Sequence, residues 1–262
     1  MGSDSVDAKP ATALRTTPRD KTFQHRVRSV LEAIMFSRGG DRTFYEPDEF
    51  PWVADVEAEW RTIRKELEAV MARREEIPNF QDVWEDQKVL TEGEQWKTLW
   101  FYAYGKKADD NCARCPETVR VLRKIPGMKS AMFSILAPRK YIPPHRGLYK
   151  GILRYHLGLI VPGPEGSCRI RVGDEVRSWN EGRSLIFDDT HEHEAWCDCD
   201  SPRVVLFVDF PRPVWFPMSL VNRAVIRVLA RTSSISDAMV QIRQQAREIK
   251  TEQRRGIDRS SL

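Results

Sequence analysis

Two histidines and one arginine carry the clearest chemical signal in this chain. His145 stands in P-P-H-R-G and His193 in F-D-D-T-H-E-H-E-A-W, and Arg203 follows ten residues later at the head of R-V-V-L-F-V-D-F. Paired imidazoles suit Fe(II), and a guanidinium grips a carboxylate in two-pronged fashion. Together they meet the needs of an oxygenase that uses Fe(II), O2 and 2-oxoglutarate, with Arg203 on the cosubstrate's distal carboxylate.

The segments around these residues read as strands that must bring them together. In residues 152 to 162, I-L-R-Y-H-L-G-L-I-V-P, alternation puts Arg154, His156 and Gly158 on one face. Leu153, Tyr155, Leu157 and Leu159 take the other. The run after Arg203 splits likewise, with Arg203, Val205 and Phe207 opposed to Val204, Leu206 and Val208. A squashed jelly-roll barrel takes the polar set into its mouth and packs the apolar set outward against helices. The expected fold is therefore mainly β with flanking helices, around a double-stranded β-helix (cupin-like) core.

Six pieces then resemble the aspartyl/asparaginyl β-hydroxylase family, whose bacterial relatives include lipid A and ornithine-lipid acyl hydroxylases. They are F-S-I-L-A-P (133 to 138), H-R-G (145 to 147), L-R-Y-H-L-G-L (153 to 159), W-N-E-G (179 to 182), F-D-D-T-H-E-H-E-A-W (187 to 196) and R-V-V-L-F-V-D (203 to 209). The resemblance covers roughly residues 90 to 212, and the order and spacing of the pieces are far more specific than any one of them. It implies His145 and His193 as iron ligands and Ser134 with Arg203 on the distal carboxylate of 2-oxoglutarate. Arg154 and His156 would sit at the metal-proximal end. The usual facial triad adds a carboxylate two residues after the first histidine. Gly147 stands there, so the resemblance implies a two-histidine site completed by water. Asp188, Asp189, Glu192 and Glu194 remain alternative ligands at this stage.

The other features set bounds. The 262 residues, 41% apolar and 31% charged with net charge +4, describe one soluble domain with appendages. The basic residues are scattered and no nucleic-acid reader motif appears, so nucleic acid is not an expected partner. The first residues lack a basic segment followed by an apolar core, and no apolar run is long enough to span a bilayer. A cytoplasmic chain is expected. Five cysteines do not form a disulfide framework; Cys112, Cys115, Cys197 and Cys199 read as reduced thiols, with a structural zinc set of those four as the rival.

The expected organisation is a disordered tail over 1–22, N-terminal helices over 23–89, the catalytic barrel over 90–212 and C-terminal helices over 213–262. A helix over 23–37 and a longer one from Trp52 to Arg74 stand out by their three-four apolar spacing. Residues 77–95 read as loop, and Pro143-Pro144 as a turn into His145. Within 218–231, Leu220, Val221, Val225, Val228 and Leu229 form an apolar stripe against Arg223, Arg227 and Arg231. Such a helix either packs on the barrel with a basic edge or rests on an anionic membrane surface. His191, Arg146 and Lys150, near Arg139 and Lys140, form a candidate basic substrate rim. The favoured substrate is an aspartyl or asparaginyl β-carbon, free or peptidyl; the alternative is a lipid acyl chain. A non-catalytic cupin-like metal-binding module is the alternative of another class.

Overall fold

Two antiparallel sheets stacked face to face form the centre of the molecule. The structure, a computed structural model, describes residues 40–84, 90–91 and 93–260. In chain order its elements are β1 (Phe44–Tyr45), α1 (Trp52–Glu57), α2 (Trp60–Met71), α3 (Phe80–Val83), β2 (Trp96–Ala103), β3 (Lys106–Lys107), α4 (Asp109–Arg114) and α5 (Pro116–Leu122). There follow β4 (Ser130–Leu136), β5 (Tyr141–His145), β6 (Ile152–Ile160), β7 (Cys168–Val172), β8 (Glu175–Ser178), β9 (Ser184–Phe187), β10 (His193–Cys197) and β11 (Arg203–Pro211). Helices α6 (Met218–Leu229) and α7 (Ser233–Ser260) close the described chain. The large sheet runs β1-β9-β6-β11-β4-β2-β3 and the small one β5-β10-β7-β8. This is the double-stranded β-helix expected from the alternation.

The alternation decides which face goes where. Leu153, Tyr155, Leu157 and Leu159 of β6 and Val204, Leu206 and Val208 of β11 join Val53, Val56, Ile63 and Leu67 of the first two helices in one buried cluster. The opposite face of the large sheet meets the small sheet, where Val205, Phe207 and Met132 pack on Ile170, Val172 and Trp179. Nearly every residue of β11 is buried, as a strand covered on both faces requires. Helix α5 begins at Pro116, and Glu66 of α2 caps it by accepting the amide hydrogens of Glu117 (2.8 Å) and Thr118 (2.7 Å).

Several expectations need correction. The long helix from Trp52 breaks into α1 and α2 at Glu59, where φ −96° and ψ 6° leave helical geometry. The Glu59 carboxylate there takes Arg120 (3.0 Å) and Lys124 (3.2 Å). Pro143 and Pro144 do not make a turn. They lie in β5, the edge of the small sheet, where a strand tolerates residues that cannot donate. Residues 77–95 contain α3, and the segment 23–89 supplies strand β1 as well as helices. The expected helix over 23–37 and tail over 1–22 lie outside the described residues.

The stripe of α6 also divides differently. Asn222 and Ile226 face the body, whereas Leu220 and Val228 are 53% and 65% exposed and share the outer face with Arg223, Arg227 and Arg231. Among the described residues no helix is long and apolar enough to cross a membrane.

Candidate active site

Strands β5 and β10 place the two imidazoles. The antiparallel register sets His145 directly opposite His193, and their ring centroids lie 4.0 Å apart. Each ring is fixed by a backbone carbonyl: Nδ1 of His145 is 2.9 Å from the oxygen of Pro143, and Nδ1 of His193 is 3.0 Å from that of His191. A proton on Nδ1 leaves Nε2 of each ring as the donor for a cation. Burial holds both histidines below the ordinary histidine value, His193 well below it. Two neutral imidazoles side by side can hold a divalent ion without first losing protons at pH 7.

The third position of a facial triad is closed by geometry. A Cβ on Gly147 would fall on the carboxylate of Asp189, and the Gly147 amide donates to the Asp189 carbonyl oxygen at 2.6 Å. That carboxylate is taken by Arg154 Nη2 (2.9 Å), whose Nε donates to Asp209 (3.0 Å) and whose guanidinium lies 4.2 Å from the Phe207 ring centre. Burial raises Asp189 to about 6 despite the arginine. Among the described residues no carboxylate, thiol or third imidazole joins His145 and His193 in a ligand cluster. The remaining loop acids are committed elsewhere. Asp188 pairs with the fully buried Arg212 and accepts from Thr190, while Glu192 and Glu194 pair with Arg171 of β7.

From the histidines a row of rings leads to the far end of the interior. His193 contacts Phe187 (centroids 6.0 Å), Phe187 contacts His156 (5.0 Å), and His156 stacks on Trp179 (5.8 Å). Arg203 lies over that indole at 4.1 Å. Here the interior carries unmet polar capacity: Nε and Nη1 of Arg203, both ring nitrogens of His156 and Nε1 of Trp179 are buried without hydrogen-bond partners. Burial lowers Arg203 to about 10 and holds His156 well below its usual value. Ser134 lies opposite Val205, the next inward position after Arg203, and its oxygen accepts from Trp96 Nε1 at 3.0 Å. Unsatisfied buried donors are costly, and an anionic ligand is what relieves them. The donors fit the distal carboxylate of a diacid. His156, expected with Arg154 at the metal-proximal end, lies instead beside Trp179 and Arg203, whereas Arg154 already faces two carboxylates.

A pocket of about 800 Å³, open mouth included, leads in beside His145. Its wall is strongly aromatic, with Phe80, Trp84, Trp96, Trp100 and Phe207, and Arg146 and Leu148 also line it. Of the three expected rim residues only Arg146 borders this pocket. Lys150 is held by Asp41 at 2.5 Å, and His191 is half-buried with Nε2 3.3 Å from the same carboxylate. Arg139 is paired with Asp200 at 2.7 Å. No continuous basic rim forms among the described residues: Asp200 holds Arg139, and Asp41 takes both Lys150 and His191.

Asp189, expected as an alternative iron ligand, is instead the partner of Arg154, and no motif marks the roles of Asp209, Arg212 or Trp179. Alternation places Asp209 inward on β11, and that was the one available signal. The rival four-cysteine zinc set does not assemble. Cys112 and Cys115 pack in the helix-side core, whereas Cys197 and Cys199 lie between the sheets with Cys168.

Residues 57–213 match the family described as aspartyl/asparaginyl beta-hydroxylase. An ornithine lipid ester-linked acyl 2-hydroxylase of Rhizobium tropici is 44% identical over 206 residues, covering 79% of this chain and 73% of that one. The human aspartyl/asparaginyl beta-hydroxylase is 35% identical over 170 residues, 63% of this chain but only 21% of its own length. A crystal structure of a Pseudomonas putida prolyl-4-hydroxylase overlaps 59% of this chain and 88% of its own with a TM-score of 0.38 at 16% identity.

Proposed function

The chain belongs to the aspartyl/asparaginyl β-hydroxylase family, and from that premise we propose that it is an Fe(II)- and 2-oxoglutarate-dependent dioxygenase that hydroxylates a lipid acyl chain. Bound iron supplies the oxidation, coupling conversion of 2-oxoglutarate and O2 to succinate and CO2 with delivery of one oxygen atom to a C–H bond. His145 and His193 hold the metal through Nε2. Arg203 and Ser134 bind the distal carboxylate of 2-oxoglutarate, with His156 and Trp179 donating beside it. Arg154, held by Asp189 and Asp209, orients the metal-proximal end. The aromatic wall excludes water from the reacting carbon.

The observation that carries the substrate class is the composition of the pocket wall. Phe80, Trp84, Trp96 and Trp100 offer an alkyl chain apolar surface, worth roughly 25 cal/mol per Å² buried. The Arg154 guanidinium that lines the same space is already taken by Asp189 and Asp209, so it is not free to receive an aspartyl carboxylate. The pocket wall favours the lipid acyl chain over the aspartyl or asparaginyl β-carbon that the motifs suggest, and the R. tropici relative supports the lipid reading. The outer face of α6 agrees: Leu220 and Val228 stand among Arg223, Arg227 and Arg231, and Trp215 and Phe216 just before it are 58% and 78% exposed. Leu148, 68% exposed at the pocket, lies in the loop tied to α6 by the Tyr149 hydroxyl, which donates to Asn222 at 3.0 Å. A basic face with projecting apolar groups suits an anionic membrane surface. A non-catalytic cupin-like module leaves the unpartnered donors of Arg203 without a purpose.

The test is to incubate the chain with Fe(II) and 2-oxoglutarate, giving it ornithine lipid in mixed micelles or an aspartate-containing peptide. The reading expects one added oxygen on the acyl chain and one succinate per product. Oxygen on the peptide alone would overturn the lipid assignment. No consumption of 2-oxoglutarate with either substrate would favour the binding module.

A further inference from the structure

Three thiols converge at the end of the small sheet away from the histidine pair. Cys168 opens β7 and Cys197 closes β10, directly opposite it in the antiparallel pair, and Cys199 follows in the next loop. The sulfur of Cys168 lies 3.5 Å from that of Cys199 and 3.9 Å from that of Cys197, and all three lie within 4.8 Å of one another. Their exposures are 2%, 0% and 6%, and none is in a disulfide. Cys197 stands four residue steps along β10 from His193, about 13 Å.

The size of the sulfur triangle points to a particular occupant. Sulfurs bound tetrahedrally at about 2.3 Å from zinc stand about 3.8 Å apart, close to what these side chains already show. The rim supplies oxygen. The Pro162 carbonyl is 2.9 Å from the Cys199 sulfur and 3.7 Å from that of Cys168, and the Ser201 carbonyl is 3.6 Å from that of Cys197. Charge decides between thiophilic ions. Three thiolates leave −2 with Cu(I) and −1 with Zn(II), and the cations whose fields reach the sulfurs are the buried Arg203, toward Cys168 and Cys197, and the exposed Arg139, toward Cys199 and itself paired with Asp200. The divalent ion leaves the smaller residual charge, which a buried site favours.

We propose that Cys168, Cys197 and Cys199 form a second metal site, separate from the histidine pair, that binds one Zn(II) with an oxygen ligand completing the tetrahedron. Binding breaks three S–H bonds, forms three Zn–S bonds and releases three protons to solvent, with no change of oxidation state. The ion cross-links β7, β10 and the loop that leads into β11, and so fixes the base of Arg203.

The experiment loads the reduced full-length chain with Zn(II), removes excess metal and records X-ray absorption at the zinc edge. A parallel Cd(II) titration follows the ultraviolet sulfur-to-metal band. The expected result is a zinc with three sulfur neighbours at about 2.3 Å, beside any zinc held by the histidine pair, and a cadmium–sulfur band that saturates at one equivalent of occupied thiolate site. The band persists in the His145→Ala/His193→Ala and Cys112→Ala variants and disappears in Cys199→Ser. A zinc shell of nitrogen and oxygen alone overturns the proposal. So does a cadmium band that survives Cys199→Ser or vanishes with the histidines. The wild-type spectrum decides by itself if Cys199→Ser does not fold.

Discussion

At the scale of single residues, the site is defined as much by what Gly147 omits as by what the histidines supply. A methyl group at position 147 would strike the Asp189 carboxylate, which is anchored by Arg154. Gly147→Ala is therefore expected to destabilise the metal-free protein by about 1–3 kcal/mol, the usual cost of overpacking, measurable by denaturant unfolding. Arg203→Gln should raise the KM for 2-oxoglutarate tenfold to about a hundredfold, since a charge-assisted hydrogen bond contributes about 1.5–3 kcal/mol. Steady-state kinetics at saturating lipid would show it, and an unchanged KM would remove Arg203 from the cosubstrate site. The pH behaviour follows from burial. His145 and His193 both titrate below the ordinary histidine value, so protons compete with the metal only in more acidic solution. Metal affinity should stay level from pH 8 down to about 6.5 and fall below it. Calorimetric titration with Mn(II) checks this. Asp189 has the opposite sign. Its folded value of about 6 lies above the unfolded one, so its contribution is present below about pH 3.9 and is lost as pH rises through 6.

At the scale of elements, strand parity was readable and long-range pairing was not. Alternation alone assigned Arg154 and His156 to the interior and Leu153, Tyr155, Leu157 and Leu159 to the helix side, because a period of two admits one register when both faces are buried. No local pattern announces that Asp188 meets Arg212, 24 residues on, or that Asp189 and Asp209 share Arg154. Such pairs depend on which strands become neighbours. The break at Glu59 was hidden for the same reason, since Arg120 sits on α5 and Lys124 just beyond its end. The Asp188–Arg212 pair braces the loop that delivers His193, and both side chains are fully buried. Arg212→Gln leaves a buried carboxylate without its cation, an expected loss of about 3–5 kcal/mol in unfolding free energy. A loss below 1 kcal/mol would contradict that bracing role. Helix α6 makes a separate prediction: Arg227→Gln should weaken sedimentation with anionic vesicles by about 1 kcal/mol, roughly fivefold, and leave turnover of micellar substrate unchanged.

At the scale of the whole molecule, the two sheets create an interior with distinct ends. Two backbone-held imidazoles stand near the mouth, and an arginine and an indole with unsatisfied donors stand at the back. A metal at one end and a diacid reaching the other is the arrangement these groups jointly satisfy. The direct measurement is an anaerobic titration of 2-oxoglutarate into the Fe(II)-loaded chain, following the visible absorption that appears when an α-keto acid chelates ferrous iron. The account predicts a band that saturates at one 2-oxoglutarate per chain, is absent in His193→Ala, and in Arg203→Gln needs about tenfold to a hundredfold more cosubstrate to reach the same height. A wild-type protein that holds Fe(II) and shows no band at any 2-oxoglutarate concentration would contradict it.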